Sequence, residues 1–297
     1  GISIGLSALP VQSFFDSNIY SSPNLQTYHT PYLDSNEGGI GIGSAFNILN
    51  ARLLVGATMP IELNNGQKIG SKKSLVSSIE FGDFQKQSVT LMTGLSQEND
   101  SLLGSIGSNA FSLDGARSTT IFTALKAQKH LLDNFSLTGI ATLANTNMTS
   151  PSNSLVDSAS DVKSSSIALV ADMRNLSDDD QLSIFINQPN RVDSGSIAIK
   201  TASLADSSRN INQTIKNIDL DSSSRQLNYG LSYRKDLNEN LAFSVKHTIT
   251  NNLNHSDNSN RLHSSYIGMD YKDLKLGFAT NPNNSSIEKE LSYAIAL

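Results

Sequence analysis

Leu227-Asn228-Tyr229-Gly230-Leu231-Ser232-Tyr233-Arg234 carries a large apolar or aromatic side chain at every odd position and a small, polar or charged one at every even position. A period of two is the period of a β-strand, whose successive side chains point to opposite faces. The pattern repeats immediately, with Leu241, Phe243, Val245 and Ile249 on one side and Ala242, Ser244, Lys246 and Thr248 on the other. It returns at Leu274, Leu276 and Phe278 against Lys275 and Gly277. Each segment therefore has one greasy face. Two folds satisfy such faces: a soluble sandwich, in which they meet each other, and a membrane barrel, in which they meet lipid.

Loop lengths separate the two. Outward from this stretch, strands are predicted near 74–84, 87–95, 101–110, 119–131, 135–146, 164–175, 180–202, 225–236, 240–251, 264–272, 274–281 and 287–297, twelve in all. The connections at Asp133-Asn134, Ser177 to Asp179, Leu237 to Glu239 and Lys272-Asp273 are tight. Those at 147–163, 203–224 and 252–263 are long and rich in Ser, Asn and Asp. Alternating short turns and long loops are expected of an outer-membrane barrel, and the count comes out even if 180–202 is one long strand, with Pro189 bulging it where its missing N–H meets water. The fold expected is thus an all-β, transmembrane antiparallel β-barrel of about twelve strands, with 14–16 as the alternative.

Residues 1–73 read less regularly and are set apart from the barrel of 74–297 as a connector, a plug or an extra hairpin. Gly38 to Glu62 fits two strands, Gly39 to Asn47 and Arg52 to Glu62. It equally fits a helix from Ala45 to Ala57 capped by Ser44, with Phe46, Leu49 and Leu53 at helical spacing. Ser13 to Leu33 reads as an extended connector.

Composition narrows the function. Charged residues are 16% and hydrophobic residues 38%, too uncharged and too apolar for a disordered tail. The net charge of -5 has no basic cluster beside it, so the electrostatic footprint of a nucleic-acid binder is missing. Without cysteine there is neither a disulfide framework nor a thiolate metal site. No apolar run approaches the roughly 18 residues of a membrane helix, whereas a barrel strand needs only about 9–11 alternating ones. The chain opens on Gly1 with no signal-peptide pattern and reads as a processed or excised piece.

The stretch Ile186-Asn187-Gln188-Pro189-Asn190-Arg191-Val192-Asp193-Ser194-Gly195-Ser196 resembles one in the C-terminal barrels of subtilase-type autotransporters, where a Gln-Pro, an Arg-Val and a Ser-Gly fall in this order. Asp219 to Leu237, with Ser224-Arg225-Gln226-Leu227, resembles the strand that follows, and Ala110-Phe111-Ser112-Leu113 an earlier piece. The likeness spans roughly residues 90–297 on short motifs. It implies a translocator that anchors and delivers an upstream passenger, with outer-membrane lipid, the barrel-assembly machinery and that N-terminal passenger as partners, at the outer membrane of a Gram-negative bacterium. The chain departs from that pattern in ending on Leu297 rather than an aromatic residue and in lacking tryptophan.

No enzyme chemistry is legible. A subtilisin-type site needs a Gly-Thr-Ser nucleophile, a His base and an orienting Asp, and none of these contexts occurs. His29, His130, His247, His255 and His263 are scattered without a paired zinc spacing, although His255 and His263 share one loop. Asp178-Asp179-Asp180 and Asp219 with Asp221 suit turn chemistry better than calcium. Gly38-Gly39-Ile40-Gly41-Ile42-Gly43 lacks the Lys-Ser/Thr of a phosphate loop and reads as a strand or bend. No cofactor or metal is expected.

Two residue sets carry the functional expectations. Lys126, Asp172, Arg174, Arg234, Lys246, Asp270, Lys272 and Glu290 lie opposite greasy rows and are expected to face the lumen, with both signs present and no one-sign selectivity. Leu291, Tyr293, Ile295 and Leu297 form an outward row on the last strand, expected to guide insertion and to close the barrel against the first strand. The principal alternatives are a porin-like pore or structural outer-membrane barrel in an assembly, and a soluble β-sandwich adhesin module.

Overall fold

The computed structural model describes residues 2–7, 32, 40–48, 51–59, 61–62, 68–69, 72–83, 86–105, 107–202, 213–257, 261–271, 274–280 and 287–293. Its strands are β1 (Ile2–Ser7), β2 (Ile40–Ile48), β3 (Ala51–Met59), β4 (Ile61–Glu62), β5 (Lys68–Ile69), β6 (Lys72–Asp83), β7 (Gln87–Asn99), β8 (Arg117–Leu132) and β9 (Phe135–Met148), followed by β10 (Val156–Arg174), β11 (Asp180–Ala202), β12 (Gln213–Asp219), β13 (Leu227–Asn238), β14 (Leu241–Asn251), β15 (Leu262–Tyr271), β16 (Leu274–Thr280) and β17 (Ile287–Tyr293). Fifteen of them make one antiparallel sheet in the order β1-β2-β3-β6-β7-β8-β9-β10-β11-β13-β14-β15-β16-β17, with β12 pairing β11 off this path, while β4 and β5 pair with each other. No helix among the described residues is long and apolar enough to cross a membrane.

Every neighbour in the main path is also a neighbour in sequence, apart from the small β4–β5 and β12 excursions, so the sheet is a continuous meander. Connections at 49–50, 84–86, 133–134, 175–179, 239–240 and 272–273 are short and share one rim, and the longer ones share the other. Of the two readings of Gly38 to Glu62, the structure forms the hairpin: Ser44 pairs Val55, and β3 continues the wall through Leu54 opposite Ser78. The wall of fourteen strands exceeds the twelve expected and lies within the larger range. Its end strands β1 and β17 share no ladder among the described residues; β1 pairs β2, and β17 pairs β16.

Residues 180–202 do form a single strand of 23 residues. Ile167 pairs Gln188 and Ser165 pairs Arg191, so two residues of β11, Pro189 and Asn190, oppose Ser166 alone. This bulge places Pro189 beyond the last β11–β13 pair, Asn187 with Asn228, where the ladder needs no N–H from it. Past the bulge β11 changes partner, and Ser196–Ala202 pairs β12. Gly195, at φ +137°, would carry a Cβ only 2.6 Å from Val162 Cα, so the Ser-Gly of this stretch admits no side chain.

The predicted strand at 101–110 is not one. Leu102 and Ser105 make an isolated bridge, Asn109–Phe111 is a 3-10 turn, and Asp100, Leu103 and Asn109 have left-handed backbone. The consecutive Leu102 and Leu103 pack together against Leu113, Ala116, Met148, Val156, Ala159 and Val162, which folds the loop down onto the protruding parts of β9 to β11. An alternating strand would have sent those two leucines to opposite faces.

Candidate functional site: the enclosed face of the sheet

Burial along β8 alternates without a break from Ser118 to Lys129. Ser118, Thr120, Phe122, Ala124, Lys126 and Gln128 are buried, whereas Ile121 and Leu125 are 61% and 49% exposed. Strands β6, β7, β9, β10, β11 and β13 repeat this inversion. Leu75, Phe81, Leu91, Leu95, Leu143, Ile167, Ile184 and Leu231 stand in the open while Ser78, Glu80, Ser88, Thr90, Thr142, Thr146 and Asp172 are shut in. A soluble sheet buries its greasy face. This one buries its hydroxyls and charges and leaves leucine outside, so the outer face is complementary to hydrocarbon and the inner face to a filled interior.

The interior is layered. Toward the short-turn rim, register aligns Arg52, Glu80, Thr90 and Lys126 across β3, β6, β7 and β8. Glu80 is 2% exposed and Lys126 5%. The two attract each other electrostatically, Arg52 adds to the field on the carboxylate, and the Thr90 and Ser88 hydroxyls stand beside it without closing a well-aligned hydrogen bond. Signs alternate along the row, as they must where charges share a low-dielectric site.

In the middle lies an apolar collar of Leu54, Val76, Met92, Phe122, Ala124, Ile140, Val170 and Phe185, joined by Tyr32. Tyr32 belongs to the chain between β1 and β2, yet it is 3% exposed and stacks on Phe122 with ring centroids 5.4 Å apart. Its hydroxyl donates to Asn190 Oδ1 at 2.9 Å, which leaves Ser164 Oγ as the donor in their mutual hydrogen bond. Gly94 makes room for this stack: a Cβ there would sit 2.3 Å from the tip of the Phe122 ring. Toward the long loops the interior is polar again. Thr120 and Thr146 share a hydrogen bond of 2.8 Å, and Glu98 takes Lys72 at 3.6 Å together with Ser101 Oγ and the Gly104 N–H at 2.9 Å each.

The stretch around Arg191 is a fastener for the loops above. Arg191 donates through Nε to the Ser224 carbonyl and through Nη2 to that of Ser222, and pairs with Asp193. Arg225 reaches back to Gln188 Oε1 at 2.9 Å. His255 completes the knot: its Nδ1 accepts the Gln226 N–H and its Nε2–H donates to the Asn190 carbonyl, each at 3.0 Å, which fixes the neutral tautomer. Burial holds the imidazole below its usual range, and the Arg191 guanidinium adds to this against the opposing Asn190 carbonyl and Asp193 carboxylate. A depressed histidine stabilises the fold fully above about pH 6.5, and that contribution is lost as pH falls, because the released loop takes the proton first. The Gln226 amide is therefore expected to lose hydrogen-exchange protection between pH 7.5 and 5.5, beyond the intrinsic change in rate. Equal protection at both values would remove the knot from the account.

No protein-family model matches the chain, and no curated protein matches it in sequence. Among solved structures it is similar to the CymD monoaromatic hydrocarbon channel, at 13% identity over 82% of this chain and 77% of that one, with a TM-score of 0.46. It is also similar to the toluene transporter TodX of Pseudomonas putida, at 11% identity over 82% and 76%, TM-score 0.40. A Pseudomonas aeruginosa FadL homologue is similar at 9% identity over 83% and 71%, TM-score 0.41. Likenesses this loose carry no inference about this chain.

The eight charges expected in the lumen fall into four groups. Lys126 and Asp172 lie on the enclosed face; Asp172 accepts from Ser183 Oγ and from Gln181 Nε2 at 3.2 Å. Arg234, Asp270 and Lys246 lie on the same face where it is less covered: Arg234 Nη1 meets Asp270 Oδ2 at 3.0 Å, and Lys246 Nζ stands 5.4 Å from the Phe185 ring centroid. Arg174 is exposed at the end of β10. The side chain of Glu290 lies outside what the structure describes, as does Lys272. Of the C-terminal row, the backbone at Leu291 and Tyr293 is in β17, and Ile295 and Leu297 lie outside the described residues. His263 and His255 are not brought together; His263 faces His247 with ring centroids 5.7 Å apart. Among the described residues no three His, Asp or Glu form a group able to hold a metal.

Glu80, Arg52 and Tyr32 were not singled out by the sequence. For Glu80 the signal was present, since Val76, Ser78 and Glu80 alternate against Leu75, Ile79 and Phe81. Tyr32 has no local pattern that announces its place.

Proposed function

We propose that the chain is a barrel wall of the outer membrane of a Gram-negative bacterium and forms a pore held closed by the apolar collar at mid-height. The observation that carries this reading is the inverted burial: leucines outside, and inside them a polar, apolar, polar sequence of layers. A collar of this kind stops ions by excluding water, with no charge barrier required. Opening it means moving Tyr32 off Phe122. In planar bilayers the full chain should insert and pass little current, while Phe122→Ser and Tyr32→Ala should each raise the mean current by on the order of tenfold as the collar wets. Inserted protein that stays silent in both variants would reduce the reading to a structural barrel.

The translocator role implied by the Ile186–Ser196 stretch is the second reading. It is favoured by one observation, that Tyr32, upstream of the β2–β3 hairpin, lies inside the wall. Its partners would be outer-membrane lipid, the barrel-assembly machinery and a passenger joined upstream. A reporter fused before Gly1 would reach the cell surface on this reading and stay inside on the first.

A further inference from the structure

The outer face carries a depression that the apolar belt does not need. Register aligns Phe81, Val89, Ala127, Gly139 and Leu169 in one outward row across β6 to β10. Two small residues, Ala127 and Gly139, sit side by side in that row and form a floor, with Phe81 and Val89 on one flank, Leu169 on the other and Leu137 below. The groove encloses about 630 Å³ and is almost wholly apolar, a volume in the range of small-molecule sites. A Cβ on Gly139 would meet nothing closer than Leu169 Cδ1 at 3.7 Å, so the glycine is not forced by packing and leaves open a space that a side chain would fill.

One end of the groove is cationic. Lys129 lines it at the short-turn end, exposed, and Gln87 stands between Lys129 and Asp83 across β7. The adjoining turn adds exposed Lys86. A greasy channel running along the wall and ending in an ammonium group matches an amphiphile with an acyl chain and an anionic head. Short turns of outer-membrane barrels face the periplasm, so the leaflet at this rim is the phospholipid one.

We infer that this groove is a binding site for one anionic phospholipid, its acyl chain on Ala127 and Gly139 and its phosphate at Lys129. The inference rests on the membrane reading. Its test is native mass spectrometry of the full chain released from detergent micelles, with phosphatidylglycerol or phosphatidylcholine added as the probe. The wild type should retain phosphatidylglycerol about fivefold more than phosphatidylcholine, the worth of one exposed ion pair. Lys129→Gln should bring phosphatidylglycerol down to the phosphatidylcholine level, and Gly139→Phe, which fills the groove, should lower retention of both. Equal retention of the two lipids by the wild type, or variants that bind phosphatidylglycerol as the wild type does, would overturn the site. A protein that needs no detergent and enters no vesicle would instead overturn the membrane reading.

Discussion

Leu125→Arg should abolish insertion. Leu125 lies midway along β8 on the outward row, between Leu91 and Ala141 on the flanking strands. A guanidinium on the lipid face near mid-membrane costs roughly 2–4 kcal/mol, which lowers the ratio of folded to unfolded protein by roughly 30- to 1,000-fold. The neighbouring change Ala124→Ser points inward, between Met92 and Thr142, where a hydroxyl has company, and should cost within about 1 kcal/mol. Refolding into phosphatidylcholine vesicles, read as the heat-sensitive fast band on a gel, separates the two. Equal yields from both variants would place Leu125 away from lipid.

Lys126→Met should be the most damaging change inside the wall. It removes the cation that acts most strongly on the buried Glu80 carboxylate and leaves Arg52 and the neighbouring Thr90 and Ser88 hydroxyls to offset its charge. Glu80 and Lys126 attract across the intervening β7 rather than as a contact pair, and Arg52 shares the row, so the loss should fall below the roughly 3–5 kcal/mol of a broken buried contact pair, at about 2 kcal/mol. The double variant Lys126→Met with Glu80→Gln leaves no stranded charge and should recover most of the stability. Urea unfolding in detergent gives both values. A loss below about 1 kcal/mol for the single variant would mean that water screens the pair and that the polar layer is wet.

What the sequence made legible follows from where alternation survives. β7, β8, β9, β13 and β14 pair in regular register along most of their length, so period two is visible in the letters. The long β11 was readable because Pro189 has one physical solution in a strand that continues, a bulge. The start of β10 was not readable, because bulges around Ser158 and Asp161 put its buried residues at Val156, Ala159 and Val162, a spacing of three that no strand template contains. β12 has every residue exposed and exists only because β11 outruns β13 and offers a free edge. Lys126 and Asp172 could be assigned to the enclosed face from the sequence because the greasy rows opposite them mark the other one. The same rows mark Glu80, which shows that the pattern in β6 was sufficient. Tyr32 was out of reach, since its place depends on Gly94 and Phe122 of two other strands.

The chain has no cysteine, so single cysteines can be placed at will. Spin labels at each position from 119 to 127, on protein reconstituted in vesicles, report collision with oxygen, which concentrates in lipid, and with a water-soluble nickel chelate. The account predicts a period of two, with 121, 123, 125 and 127 open to oxygen and closed to nickel, and 120, 122, 124 and 126 shielded from oxygen. Odd positions that meet the nickel chelate instead, or a profile with no period, would contradict the claim that the outer row of this sheet faces a membrane.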